Sequence, residues 1–173
     1  MNGVLWVKLE LLGDNNIKEV FEFESKNKDF FESILPSRPN GYFDYTSFSE
    51  IMSEIIDEQK DGQCFMHIIR DENKKLIGRI NLHSVDGHFF ELGYRLGYDT
   101  IGKGYGSKAV KKIIELAFIE YGINIITAGT SSKNIPSQKV LLKNGFTFIK
   151  EEKAVLKINE EVIDGYIYEL IKS

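Results

Sequence analysis

Val4, Trp6 and Lys8 alternate with Leu5, Val7 and Leu9 along Val4 to Leu11, and this period of two predicts a first strand. Beyond it Ile17, Val20, Phe21, Glu24 and Phe31 form an imperfect helical stripe, with Asp14 as the expected N-cap and Pro36 as the stop. A second helix is expected behind Ser47 and Glu50, which match a capping box, with Ile51, Met52, Ile55 and Ile56 on its apolar face. Gln63 to Arg70, Lys75 to Ser84 and Gly87 to Tyr98 read as three strands separated by short turns, an antiparallel meander.

The clearest helix follows. Tyr105, Ala109, Ile113, Leu116 and Ala117 occupy one row, and Val110, Ile114, Phe118 and Tyr121 the next, with Gly122 as a left-handed closing residue. Ile123 to Gly129 reads as a short buried strand and Ile135 to Lys143 as a short helix stopped at Asn144-Gly145. Phe146 to Ile158 and Val162 to Ile171 are the last two strands. The predicted order is β-α-α-β-β-β-α-β-α-β-β, a mixed α/β chain with a mostly antiparallel sheet flanked by helices. With no repeat or linker in its 173 residues, the chain reads as one domain spanning 1–173.

Composition narrows the classes of function. A 42% hydrophobic, 28% charged chain is ordinarily globular, and a net charge of −4 gives nucleic acid no general reason to bind and favours a cationic acceptor. No apolar run approaches the ~18 residues of a membrane span. A single cysteine, Cys64, and a start without a basic and apolar leader lead to a cytoplasmic expectation. His67, His83 and His88 are too scattered for a metal site. His83 and His88 flank a turn, but no cysteine or acidic motif joins them, so no metal is expected.

The chemistry concentrates in Gly97 to Ser107, between a strand and the strongest helix. Glycines let backbone N–H groups approach an anion, and the helix start adds unpaired donors and a positive dipole end. Phosphate binding is the physical expectation. The dipole supplies only ~0.3–1 kcal/mol, so several convergent N–H bonds must do most of the holding. A P-loop fits Gly97, Gly102 and Lys103 but fails at Gly104, where Ser or Thr should hold magnesium. A dinucleotide fingerprint from Gly102 and Gly104 fails at Ser107, where its third glycine should stand.

That turn, with Lys108-Ala-Val, Phe118, Asn134-Ile-Pro-Ser137 and Lys143-Asn-Gly145-Phe146, resembles the GNAT acetyltransferase superfamily, specifically its branch of ribosomal-protein N-terminal acetyltransferases. The predicted element order matches that fold over nearly the whole chain. The resemblance implies that acetyl-CoA is held by Leu96, Ile101, Gly102, Lys103, Gly104, Tyr105, Gly106, Ser107 and Asn134, with no metal. Gly104 and Gly106 match the family's glycine positions, whereas Ile101 stands where Gln or Arg is usual. It also implies a catalytic carboxylate on the strand entering the turn, here Glu91, and a thiolate-side role for Ser137. Many members carry a tyrosine acid four residues before the Gly-Phe pair, where this chain has Leu141.

Acetyl transfer needs a neutral amine. At pH 7 a lysine side chain costs roughly 4 to 5 kcal/mol to deprotonate and an α-amino group roughly 1 to 1.5, which favours a protein or peptide N-terminus. A small amine such as a polyamine or aminoglycoside is the other acceptor class. A different class altogether is a CoA-binding regulator without catalysis. For Glu91 the alternative is an ion pair with Arg95, and for Ser137 a helix-capping role. Two prolines, Gly41, Arg38, Tyr42, Phe43 and Tyr45 crowd the segment from Pro36 to Thr46, which reads as a lid with Arg38, Tyr42 and Phe43 meeting the acceptor. Strand edges in the C-terminal half leave a homodimer open.

Overall fold

The computed structural model describes residues 4–173. Its seven strands form one sheet in the order β1-β2-β3-β4-β5-β7-β6: β1 (Lys8–Leu11), β2 (Cys64–Arg70), β3 (Leu76–Val85), β4 (Phe89–Leu96), β5 (Ile125–Ser131), β6 (Thr147–Ile158) and β7 (Glu161–Ile171). All neighbours are antiparallel except β4 and β5. The helices are α1 (Ile17–Lys26), α2 (Lys28–Ile34), α3 (Tyr45–Lys60), α4 (Tyr105–Ile119) and α5 (Ile135–Lys143). The meander of β2 to β4 and the element order stand as the alternation predicted, with one helix more.

Strand alternation sends side chains to two cores. On one face Ile69, Ile80, Leu82, Leu92 and Ile126 pack on Ala109, Val110 and Ile113 of α4. On the other, Met66, Ile68 and Leu76 meet Val20 and Phe23 of α1, Phe31 of α2 and Phe48 and Met52 of α3. Each such side chain contributes ~1.5–3 kcal/mol by leaving water.

Three local expectations need correcting. Val4 is 86% exposed, and pairing starts only at Lys8. Asp14 does not cap the first helix; it opens a short 3₁₀ turn, Asp14–Asn16, that leads into α1. That helix breaks at Asn27, whose Nδ2 donates to the Phe23 carbonyl at 2.9 Å, the local competition that makes Asn a helix ender. Its Oδ1 accepts from the Tyr98 N–H at 3.0 Å, so the break also anchors the approach to the glycine turn. Finally, Asp44 and not Ser47 caps α3. Its Oδ1 accepts from the Ser47 N–H at 3.0 Å, placing Ser47 inside the first turn.

The edge strand β6 is irregular at two points and carries Lys150, Glu151, Glu152, Lys153 and Lys157, features that discourage pairing with a second edge. Among the described residues no helix is long and apolar enough to cross a membrane.

His67, on the α4 side of β2, is 2% exposed, with Nε2 2.8 Å from the Tyr121 hydroxyl. Burial lowers its pKa from 6.5 to about 4. Between those values the unfolded chain binds a proton that the folded one refuses, so this contribution to stability is complete above pH ~6.5 and declines as pH falls toward 4. The loss should total about 3 kcal/mol. Thermal melts from pH 7.5 to 4.5 check it: His67→Gln should flatten the acid decline relative to wild type, and parallel curves would exclude His67 as its source.

Candidate active site

The site arises where β4 and β5 part. Their pairing covers only Phe90↔Ile126, Glu91↔Thr127 and Leu92↔Ala128, although β4 continues to Leu96 and β5 to Ser131. β4 stays registered on β3 through Gly78↔Leu96, and β5 on β7 through Ser131↔Gly165. Each strand is thus held by its outer neighbour while a fork opens between them. From Gly93 onward the β4 edge that faces the fork has no β5 partner.

A cleft of about 900 Å³ fills this fork. The glycine turn closes one end with Ile101, Gly102, Gly104, Gly106 and Ser107, and Ser131, Asn134, Ser137 and Val140 line the β5–α5 side. Phe30 and Phe31 of α2, Leu35 just after it and residues from Ile158 to Ile163 at the β6–β7 turn complete the wall.

Gly102 and Gly104 have φ of 73° and 89°, the left-handed region that favours glycine. Gly104 is the N-cap of α4, and the Lys108 N–H is bonded to its carbonyl at 3.3 Å. The N–H groups of Tyr105, Gly106 and Ser107 therefore lie before the first intrahelical bond. The Asn144 amide donates to the Ser107 carbonyl at 3.2 Å and to its Oγ at 3.3 Å, tying the end of α5 to this first turn.

Of the residues expected at the cofactor, Leu96, Ile101, Gly102, Gly104, Gly106, Ser107 and Asn134 line the cleft. The side chains of the other two turn away: Lys103 Nζ donates to the Asp99 carbonyl at 2.7 Å, and the Tyr105 ring enters the core with its hydroxyl toward Glu72 at 3.2 Å. Only their backbone is left to offer a ligand.

Asn134, not Ser137, caps α5, its Oδ1 accepting from the Ser137 N–H at 3.2 Å. The Ser137 hydroxyl is then free of capping and lies beside Tyr94, and both line the cleft. Tyr94 was not singled out from sequence because it sits in the apolar row of β4. Here it lies in the fork, beside Gly106, where an added Cβ would meet the ring at 3.3 Å. Burial raises its pKa, keeping it a proton donor. Leu141 is buried in the core, so Tyr94 supplies the phenol at this fork.

Glu91 is exposed at the last paired stretch of β4, outside the cleft lining, and a Cβ on Gly129 would lie 4.0 Å from its Oε1. It makes no ion pair with Arg95. Four residues along a strand separate side chains by ~13 Å, and Arg95 instead meets Glu24 at 3.3 Å.

Glu24 is the largest departure from expectation. Placed in an apolar stripe by its spacing, it is fully buried and holds three guanidinium groups: Arg79 at 3.1 Å, Arg95 at 3.3 Å and Arg38 at 3.4 Å. The segment read as a lid is folded onto this cluster. Arg38 lies over the Tyr42 ring at 4.6 Å, and the Tyr42 hydroxyl accepts from Arg79 at 3.2 Å. Tyr42 is 5% exposed and packs on Phe43 and Phe48, and neither it, Phe43 nor Arg38 lines the cleft.

Strand pairing sets His83 beside Cys64 rather than His88, and with Glu58 their ligand atoms lie within 4.8 Å of one another. The sequence did not show this group. Burial pushes the Cys64 thiol up to about 11, so without a bound cation it is protonated at neutral pH.

The acetyltransferase (GNAT) domain profile matches residues 16–147. The uncharacterized N-acetyltransferase p20 of Bacillus licheniformis is 32% identical over 136 residues, covering 76% of this chain and 75% of that protein. Among solved structures, the ribosomal-protein-S5-alanine acetyltransferase of Vibrio fischeri superposes with a TM-score of 0.88 at 22% identity, covering 98% of this chain and 97% of that one. RimL, a ribosomal L7/L12 alpha-N-protein acetyltransferase in complex with coenzyme A, superposes with a TM-score of 0.87 at 18% identity, covering 98% and 95%.

Proposed function

We propose that this chain, which belongs to the GNAT family of N-acetyltransferases, moves acetyl from acetyl-CoA to the amine of a peptide N-terminus or a small molecule. The observation that carries this reading is the fork, which brings the glycine turn, the unpaired β4 edge, Ser137 and Tyr94 onto one cleft.

The pyrophosphate is held by the N–H groups at Ile101 to Ser107, with Gly102 and Gly104 giving the backbone its approach. Since those donors belong to the backbone, Ile101 in place of a polar residue weakens the grip without removing it. The pantetheine arm enters the fork, where the exposed backbone of Gly93 to Leu96 bonds its amides. The neutral amine attacks the thioester carbonyl, the C–N bond forms, and the carbonyl oxygen takes negative charge facing that same β4 edge. As the C–S bond breaks, the thiolate takes a proton from Ser137, and Tyr94 replenishes it. Glu91, in the last paired stretch of β4 where the fork begins, receives the amine's proton through water.

Release of free thiol from acetyl-CoA, followed across amines and peptide N-termini, tests the activity. Ser137→Ala should lower kcat about a hundredfold with little change in the KM of acetyl-CoA, as expected for a group acting in the transition state. Glu91→Gln should depress the rate most at low pH, where fewer acceptor amines are neutral. An equal loss at every pH would make Glu91 structural.

A further inference from the structure

The cluster behind the cleft carries more positive charge than its one carboxylate balances. Arg79 and Arg95 are direct cross-strand partners on β3 and β4, an arrangement that is unfavourable for like charges. Arg38 joins them from the segment after α2, and all three converge on Glu24, leaving a formal excess of two positive charges where side-chain exposure is 22% or less. Arg95 feels this directly: burial and the charges of Arg38 and Arg79 lower its pKa to about 10 against the pull of Glu24.

Of the three arginines, Arg95 reaches the cleft. Its guanidinium lies over the Phe31 ring at 4.8 Å, which fixes its plane on the wall that α2 contributes. Among the described residues its hydrogen bond is the one from Nη1 to Glu24, out of five N–H donors in the group. The other charged residues on the wall, Lys133 and Glu161, pair with each other. Arg95 therefore sets the sign of the field inside the cleft, opposite to the chain's net charge of −4.

Building on the acetyl-transfer reading, we infer that the acceptor amine carries a carboxylate that docks on Arg95. A carboxylate accepts two parallel N–H bonds from the guanidinium edge and supplies the counter-charge that Glu24 alone does not. Arg38, Arg79 and Tyr42 position Arg95 and do not touch the acceptor. A polyamine meets a cationic wall here and is disfavoured. The carboxylate has two sources, the α-carboxylate of a free amino acid or an acidic side chain near a peptide's N-terminus.

Two sets of acceptors distinguish them: amino acids against their α-amides, and C-terminally amidated peptides beginning with Asp or Glu against those beginning with Asn or Gln. The full-length protein should favour the acidic member of one set by at least about tenfold in kcat/KM. Arg95→Gln should bring that ratio close to one, and Arg95→Lys should restore part of it. Equal rates within both sets, a preference that survives Arg95→Gln, or a loss of CoA affinity in Arg95→Gln with the ratio unchanged would each overturn the assignment. Should no amine release thiol, the transfer reading fails separately. Calorimetric titration of the N-acetylated pairs onto the CoA-bound protein then decides the anion site, with tighter binding of the acidic member supporting it and equal binding overturning it.

Discussion

Replacing Gly104 with valine should weaken acetyl-CoA binding at least about tenfold, or about 1.4 kcal/mol. Gly104 combines three demands that valine cannot meet together. Its φ of 89° is a conformation that a β-branched residue adopts only under strain. A Cβ there would lie 3.3 Å from Leu5 Cδ2, so that side chain would have to give way. It is also the N-cap of α4, so any relief of strain by rotation re-aims the N–H groups of Tyr105 to Ser107, the donors proposed for the pyrophosphate. Calorimetry with acetyl-CoA, beside a thermal melt showing that the variant is folded, reads the result. Undiminished affinity in a folded variant would move the cofactor off this turn.

Glu24→Gln should destabilise the protein by about 3–5 kcal/mol, the range for removing one partner of a buried charged group. Glutamine preserves the shape of the side chain and removes only its charge, leaving Arg38, Arg79 and Arg95 facing one another with no carboxylate between them. At this chain length the loss corresponds to a fall in Tm of roughly 6–20 °C. Chemical denaturation at neutral pH measures it. Adding Arg79→Met should return part of the stability, because it removes one of the repelling charges. A loss below about 1 kcal/mol would mean that the arginines are balanced by groups other than Glu24.

The contrast between Gly104 and Glu24 separates what the chain discloses from what it conceals. The meander, the long helix of α4 and the short α5 follow from local periods of two and 3.6, because each element buries one face and its apolar spacing records which. The glycine turn was readable for the same reason: positive φ and a helix start are properties of a few consecutive residues. Ser137 and Asn134 came into view through their family spacing, but their division of labour did not, since which of them caps α5 depends on backbone direction at one residue.

Sequence alone therefore determined most of the elements, the fold family and the place where phosphate is expected. Tertiary structure decided the fork, because the parting of β4 from β5 is set by their outer partners β3 and β7, far away in the chain. It decided that Tyr94, one of a row of apolar positions, would line the cleft beside Ser137. Above all it decided the meaning of Glu24. Its spacing marked it as inward-facing, but a buried carboxylate is tolerable only when cations reach it. Those cations come from the segment after α2, from β3 and from β4, a convergence that no local pattern encodes.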